Sequence, residues 1–224
     1  NSSTGTTLDM RNLNTFISYV SQFGVGDNEL ALQGEKGQQA VKLYFAKTNL
    51  VNANHMSDFS LNNHGYLDFA VSFVNNTHDN NNGSSFDAGL LGLENTFQAD
   101  SLGFGQGRAG GSSTRIKFNS TAFDSSASFR NVDGTSRVSL VAAAVDSYGP
   151  GGTGSNTKFQ MDFRGGNVDM LVNEMWLGRN GFYTNTSSAV QDGRLYFNQG
   201  IVDVNTMRLG YQAFTNDSIS KGLV

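Results

Sequence analysis

The chain has 224 residues and a mass of 24.1 kDa, with 27 glycines, one proline, no cysteine, 15% charged residues and a formal net charge of −4. Without cysteine there is no disulfide framework, thiolate metal site or Cys nucleophile, and without a run of about 18 apolar residues there is no membrane-spanning helix. The small negative charge has the wrong sign for a nucleic-acid footprint. Seventeen Phe and a 38% hydrophobic content supply a core, so the chain is expected to fold. Its 25 Asn nearly equal its Gly; Asn is poor in helices but bonds its own backbone in turns. Strong helix formers are sparse while Phe, Val, Tyr, Thr and Ser are plentiful, so the expected class is all-β.

In chain order, apolar alternation first shows at Val20, Phe23 and Val25, before Gly26. A fuller unit, KLYFAKTNLVNANHM, carries Leu43, Phe45, Val51, Ala53, Asn54 and Met56. Residues 74–87 then read as a polar loop. LLGLENTFQADSLGFG repeats the unit with Leu91, Leu93, Phe97, Ala99, Asp100, Leu102, Phe104 and Gly105. After a glycine-rich stretch over 105–113, RIKFNSTAFDSSASF keeps a trace at Ile116, Phe118 and Phe123. Residues 136–149 suit either a strand or a short helix, and 146–157, with Pro150, read as another loop. The clearest units come last, FQMDFRGGNVDMLVNEMWLGRNG and GRLYFNQGIVDVNTMRLGYQ. Asn173 aligns with Asn205, Met175 with Met207 and Gly178 with Gly210 when two extra residues are placed after Met170.

Each unit is two or three short strands with an apolar residue at every second position, so one face is buried. Such a unit cannot close its own core, and stacking on its neighbours buries a continuous one. The corner residues Asn54, Asp100, Asn173 and Asn205 fit a ladder in which equivalent residues of successive coils lie about 4.8 Å apart. These features predict one domain over residues 1–224, a right-handed parallel β-helix with irregular loops. A β-sandwich is the alternative, since alternating strands with Gly turns also describe it.

The last two units resemble the autotransporter-associated β-strand repeats of large secreted and surface proteins of bacteria. The resemblance is good over residues 158–220 and partial over 43–105. It implies a parallel β-helix exported to the cell surface or beyond, with a scaffolding role and no catalytic residues. The start at Asn1, without an initiator Met, is read as that of a mature or excised piece of a longer secreted product.

Reactive constellations are sparse. Six Asn-x-Ser/Thr triplets, at Asn1, Asn75, Asn82, Asn119, Asn185 and Asn216, are candidate glycosylation acceptors. Asp79, Asn81 and Asp87 are candidate Ca²⁺ ligands, although Ser84 and Leu90 stand where an EF-hand needs Gly and Glu; no other cofactor is implied. His55, His64 and His78 have no helical metal-ligand spacing. Asp162, Asp169 and Asp203, with Arg164 and Arg208, are the carboxylates and bases that a polysaccharide lyase or glycosidase would use, Asp169 and Asp203 falling side by side. The expected function is a non-catalytic structural or adhesive segment, self-associating end to end as a fibre subunit. Surface polysaccharide is the next partner, and a carbohydrate-binding or -cleaving β-helix or a tailspike-like receptor binder is the alternative.

Overall fold

A computed structural model of the chain describes residues 6–25, 41–53, 70–73, 86–106, 114–120, 122, 124–145, 157–180, 190–212 and 219–224. These residues are all-β, without a helix. The strands come first in threes: β1 (Thr6–Asp9), β2 (Thr15–Val20), β3 (Phe23–Val25); β4 (Val41–Tyr44), β5 (Thr48–Ala53), β6 (Val71–Phe73). Then follow β7 (Phe86–Leu91), β8 (Glu94–Ala99), β9 (Ser101–Gln106); β10 (Thr114–Phe118), β11 (Ser125–Arg130), β12 (Val138–Val145). The last are β13 (Thr157–Asp162), β14 (Gly166–Asn180); β15 (Val190–Tyr196), β16 (Gly200–Gln212); and β17 (Ile219–Leu223).

Strands three apart in the sequence are neighbours in space until β14, whose 15 residues span the places of two earlier strands. One curled sheet runs β1-β4-β7-β10-β13-β15-β17; the other runs β2-β5-β8-β11-β14-β12-β9-β6-β3, with β16 on β14. Every pairing is parallel. The antiparallel pairing that defines a sandwich of the immunoglobulin kind is therefore not found among the described strands, which corrects that alternative.

Alternation builds the core between the sheets. β10 and β11 bury every second residue, as period-2 side chains on a half-buried sheet must. Phe97 lies in register with Val51 and Phe129, and Phe129 with Met170, all four fully buried. The rings continue along the stack, Phe97 on Phe129 at 5.2 Å and Phe73 on Phe104 at 5.4 Å between centroids. Each buried Phe contributes about 1.5–3 kcal/mol by leaving water, and phenylalanines are most of the largest fully buried side chains.

Three local expectations change. Residues 138–145 form strand β12, sandwiched between β9 and β14; a central parallel strand reads as an unbroken apolar run, which is why periodicity left helix and strand open. The stretches 74–87, 105–113 and 146–157 fall largely outside the described residues, but Asp87, Gly105 and Thr157 belong to strands. Third, Met170 faces Val202 and Val172 faces Val204, so the two extra residues sit in the turn at Arg164–Gly165, not after Met170. An insertion within the ladder would need a bulge, whereas a turn absorbs it without losing a pair. A slip of two residues keeps every side chain on its own face, so alternation alone does not detect it.

One backbone feature recurs at a single level of the larger sheet. Gly105, Ala144, Gly178 and Gly210 have φ of 69°, 54°, 72° and 64° and stand side by side, between in-register pairs such as Ala143 with Leu177 and Arg179 with Tyr211. The two sheets meet by backbone here. A Cβ on Gly178 would lie 1.9 Å from the carbonyl oxygen of Lys221 in β17, and one on Gly193 in β15 would lie 2.5 Å from the amide of Gly178.

Candidate functional site

The carboxylates expected to cooperate are held apart. Asp169 faces Ile201 and Asp203 faces Leu171, so the register that moved the two-residue insertion also separates this pair. Each carboxylate is committed to its own arginine. Arg130 donates from Nη2 to Asp169 at 2.5 Å and Arg137 from Nη2 to Asp203 at 2.8 Å. Arg164 grips Asp162 through Nε and Nη2 at 2.7 and 2.6 Å, while Arg208 turns to Glu174 at 2.7 Å. Burial opposes ionisation of Asp162, but the hydrogen bonds and charge of Arg164 outweigh it and hold the carboxyl below its ordinary range. The Arg137 hydrogen bond lowers Asp203 in the same sense. A general acid needs the opposite shift.

Of the calcium candidates, Asp79 and Asn81 lie outside the described residues. Asp87 is on β7 and is bound by Arg115 and, at 3.1 Å, by Lys117 on β10. Both of its oxygens are engaged by these two cations. Among the described residues no group of three or more acidic or His side chains is placed to hold a metal. Asn119 is exposed just after β10; Asn1, Asn75, Asn82, Asn185 and Asn216, and all three histidines, lie outside the described residues.

Of the corner residues, Asn54 is likewise outside the described residues. Asp100 is a bend between β8 and β9 whose carbonyl accepts from Ser139. Asn205 donates to the side-chain oxygen of Asn173 at 3.0 Å, on the surface. The buried ladder stands at a different corner. Asn49 and Asn95, each 2% exposed, face each other on β5 and β8, and Asn49 donates to Asn95 Oδ1 at 2.9 Å. Asn95 in turn donates to the carbonyls of Gly92 and Ser126 at 3.0 and 2.8 Å and accepts from the Gly92 amide. The alternation contained the signal: Asn49 has the parity of Val51 and Ala53, so it points inward and needs partners.

The ends of the core leave inward apolar rows uncovered. At one end Leu8 is 54% exposed and the inward Phe16 and Val20 of β2 are only partly buried, while Ile17 and Tyr19 have the outward parity of that strand. Leu8 heads an inward row that continues to buried Leu43, so its exposure marks a missing neighbour. At the other end Met207 and Leu209 are 39% and 50% exposed, although their in-register partners Met175 and Leu177 are wholly buried. β16 pairs only with β14 among the described strands. Among the described strands, the edges β1 and β2 on one side and β16 and β17 on the other have no further strand beside them and lie next to uncovered apolar rows.

Elsewhere, Trp176 of β14 donates to Glu174 at 2.8 Å and lies under the Arg179 guanidinium at 3.9 Å, with Leu140, Ala142 and Val145 of β12 beside it. A shallow groove of about 240 Å³ at a corner between the sheets is lined by Arg11, Lys47, Leu93 and Asn119 among others. No family model, curated protein or solved structure matches the chain.

Proposed function

We propose that the chain is a non-catalytic structural segment, a right-handed parallel β-helix that adds copies of itself head to tail outside the cell or at its surface. The carrying observation is the pair of uncovered core ends. Support for the winding comes from strands three apart pairing in parallel register, because connections between parallel strands of one sheet are right-handed in about 98% of cases. Continuing that register, Phe23 and Val25 of an incoming copy head the rows that end at Met207 and Leu209: Phe23 faces Val71, which faces Leu102, and so on through Val141 and Met175 to Met207. A head-to-tail contact of this kind does not close and grows into a filament. Export is supported by the likeness of residues 158–220 to the autotransporter-associated repeats.

Sedimentation velocity and electron microscopy across a wide range of concentration test the assembly. Mass rising with concentration and filaments one core wide are expected. Leu209→Lys, placing an ammonium at the open end of an apolar row, is expected to stop growth with the far-ultraviolet spectrum unchanged. A monomer at every concentration overturns the reading.

A further inference from the structure

The outer face of the seven-stranded sheet has a charge opposite to that of the chain. Its outward positions, with Arg11 and Arg164 directly after β1 and β13, hold eight Lys/Arg and four Asp, a balance of +4. The rest of the sequence holds seven Lys/Arg and fifteen Asp/Glu. The excess is arranged in rows. Arg115 and Lys117 share Asp87, brought opposite Arg115 by an irregularity in the β7–β10 register. Lys158 and Lys221 flank Asp192 on the neighbouring strands, and Asp192 already binds Arg194. Lys42 of β4 extends the cations toward β1.

The cations are also pre-organised. Asp-x-Arg occurs three times on this face, at Asp9–Arg11, Asp162–Arg164 and Asp192–Arg194, each time with Nε and Nη2 bound by the carboxylate. For Arg11 and Arg164 this leaves Nη1 for another acceptor. Their guanidinium groups lie over Tyr44 and Tyr196, 4.5 and 4.7 Å from the ring centroids. A planar fork held by a carboxylate and a ring loses little freedom when it binds an anion.

We infer that this face binds a linear acidic polysaccharide of the polyuronate class. Fixed arginine forks suit carboxylates. Tyr44 and Tyr196, beside the arginines, offer hydroxyls to sugar hydroxyl groups between the charges. A nucleic acid fits less well, because it places a phosphate on every residue against four carboxylates in the face and a chain of net charge −4. The face is separate from the core ends, so the inference does not depend on end-to-end assembly.

The test is binding of the whole chain to polygalacturonate, with neutral dextran and duplex DNA in parallel at equal salt. Binding to polygalacturonate that weakens with ionic strength is expected, with none to dextran. The triple variant Lys117→Gln, Lys158→Gln, Lys221→Gln removes only exposed or half-exposed charges; it is expected to keep the parent spectrum and melting behaviour and to bind about tenfold more weakly. Arg208→Gln on the other sheet and Leu209→Lys at the core end are expected to bind as the parent does. Absence of binding at low salt, tighter binding of DNA than of polygalacturonate, or a folded triple variant that binds unchanged each overturns the inference.

Discussion

Asn95 uses its full hydrogen-bonding capacity in one buried turn, with the Gly92 amide and Asn49 on its oxygen and the Gly92 and Ser126 carbonyls on its nitrogen. Replacing it removes four bonds at once, one of them to the buried Asn49. Asn95→Ala is therefore expected to cost about 2–4 kcal/mol. Asn173→Ala breaks one exposed bond and is expected to change stability by less than about 0.5 kcal/mol. Urea denaturation of the two variants checks the contrast, and equal losses would refute it. Both asparagines of the buried ladder were visible in the sequence, two residues before Val51 and Phe97 in units already recognised as repeats. Recurrence drew attention to Asn54, Asp100, Asn173 and Asn205 instead. Recurrence reports the repeat; an inward parity for a polar residue reports a buried ladder.

Among the elements, the long strand β14 depends on a residue that has no side chain. Gly178 combines a left-handed φ with a backbone oxygen where a Cβ would go, so Gly178→Ala is expected to cost more than about 3 kcal/mol. Ala144 sits beside it at φ 54°. Relief of about 1–2 kcal/mol of left-handed strain in Ala144→Gly is offset by the extra freedom of unfolded glycine and the lost methyl. That variant is expected to stay within about 1 kcal/mol of the parent. Thermal unfolding of the pair distinguishes a conformational requirement from a merely crowded corner. The alignment of Gly178 with Gly210 was legible as a repeat of glycines, but the reason for it was not, because the conflicting oxygen belongs to Lys221, in another sheet.

For the whole molecule, paired carboxylates set the response to acid. The Arg11 hydrogen bond holds Asp9 at about 2. Asp87, Asp162 and Glu174 pay for burial but are lowered on balance by Arg115 and Lys117, by Arg164, and by Arg208 with Trp176. A carboxylate lowered in the folded state stabilises above its unfolded pKa and loses that contribution as pH falls through the folded one. Stability is thus expected to be level from neutral pH to about 4 and to fall below it toward 2, the value held by Asp9. Melting temperatures measured across this range check the sign; a rise in stability on acidification would contradict the pairing. For the exposed pairs, Asp9 with Arg11 and Asp203 with Arg137, added salt is expected to make the fall shallower.

Composition and alternation alone determined the class. No cysteine, few charges, many Gly and Asn, and apolar residues at every second position specify short half-buried strands joined by turns, since period and turn chemistry are local properties. Only the tertiary structure decided which strands are neighbours and in what register. That choice separated Asp169 from Asp203, moved the ladder to Asn49 and Asn95, and gathered Arg11, Lys117, Lys158 and Lys221 on one face although they lie far apart in the chain. A slip of two residues leaves the hydrophobic pattern intact, so the sequence pattern cannot distinguish registers that the packing of the core does.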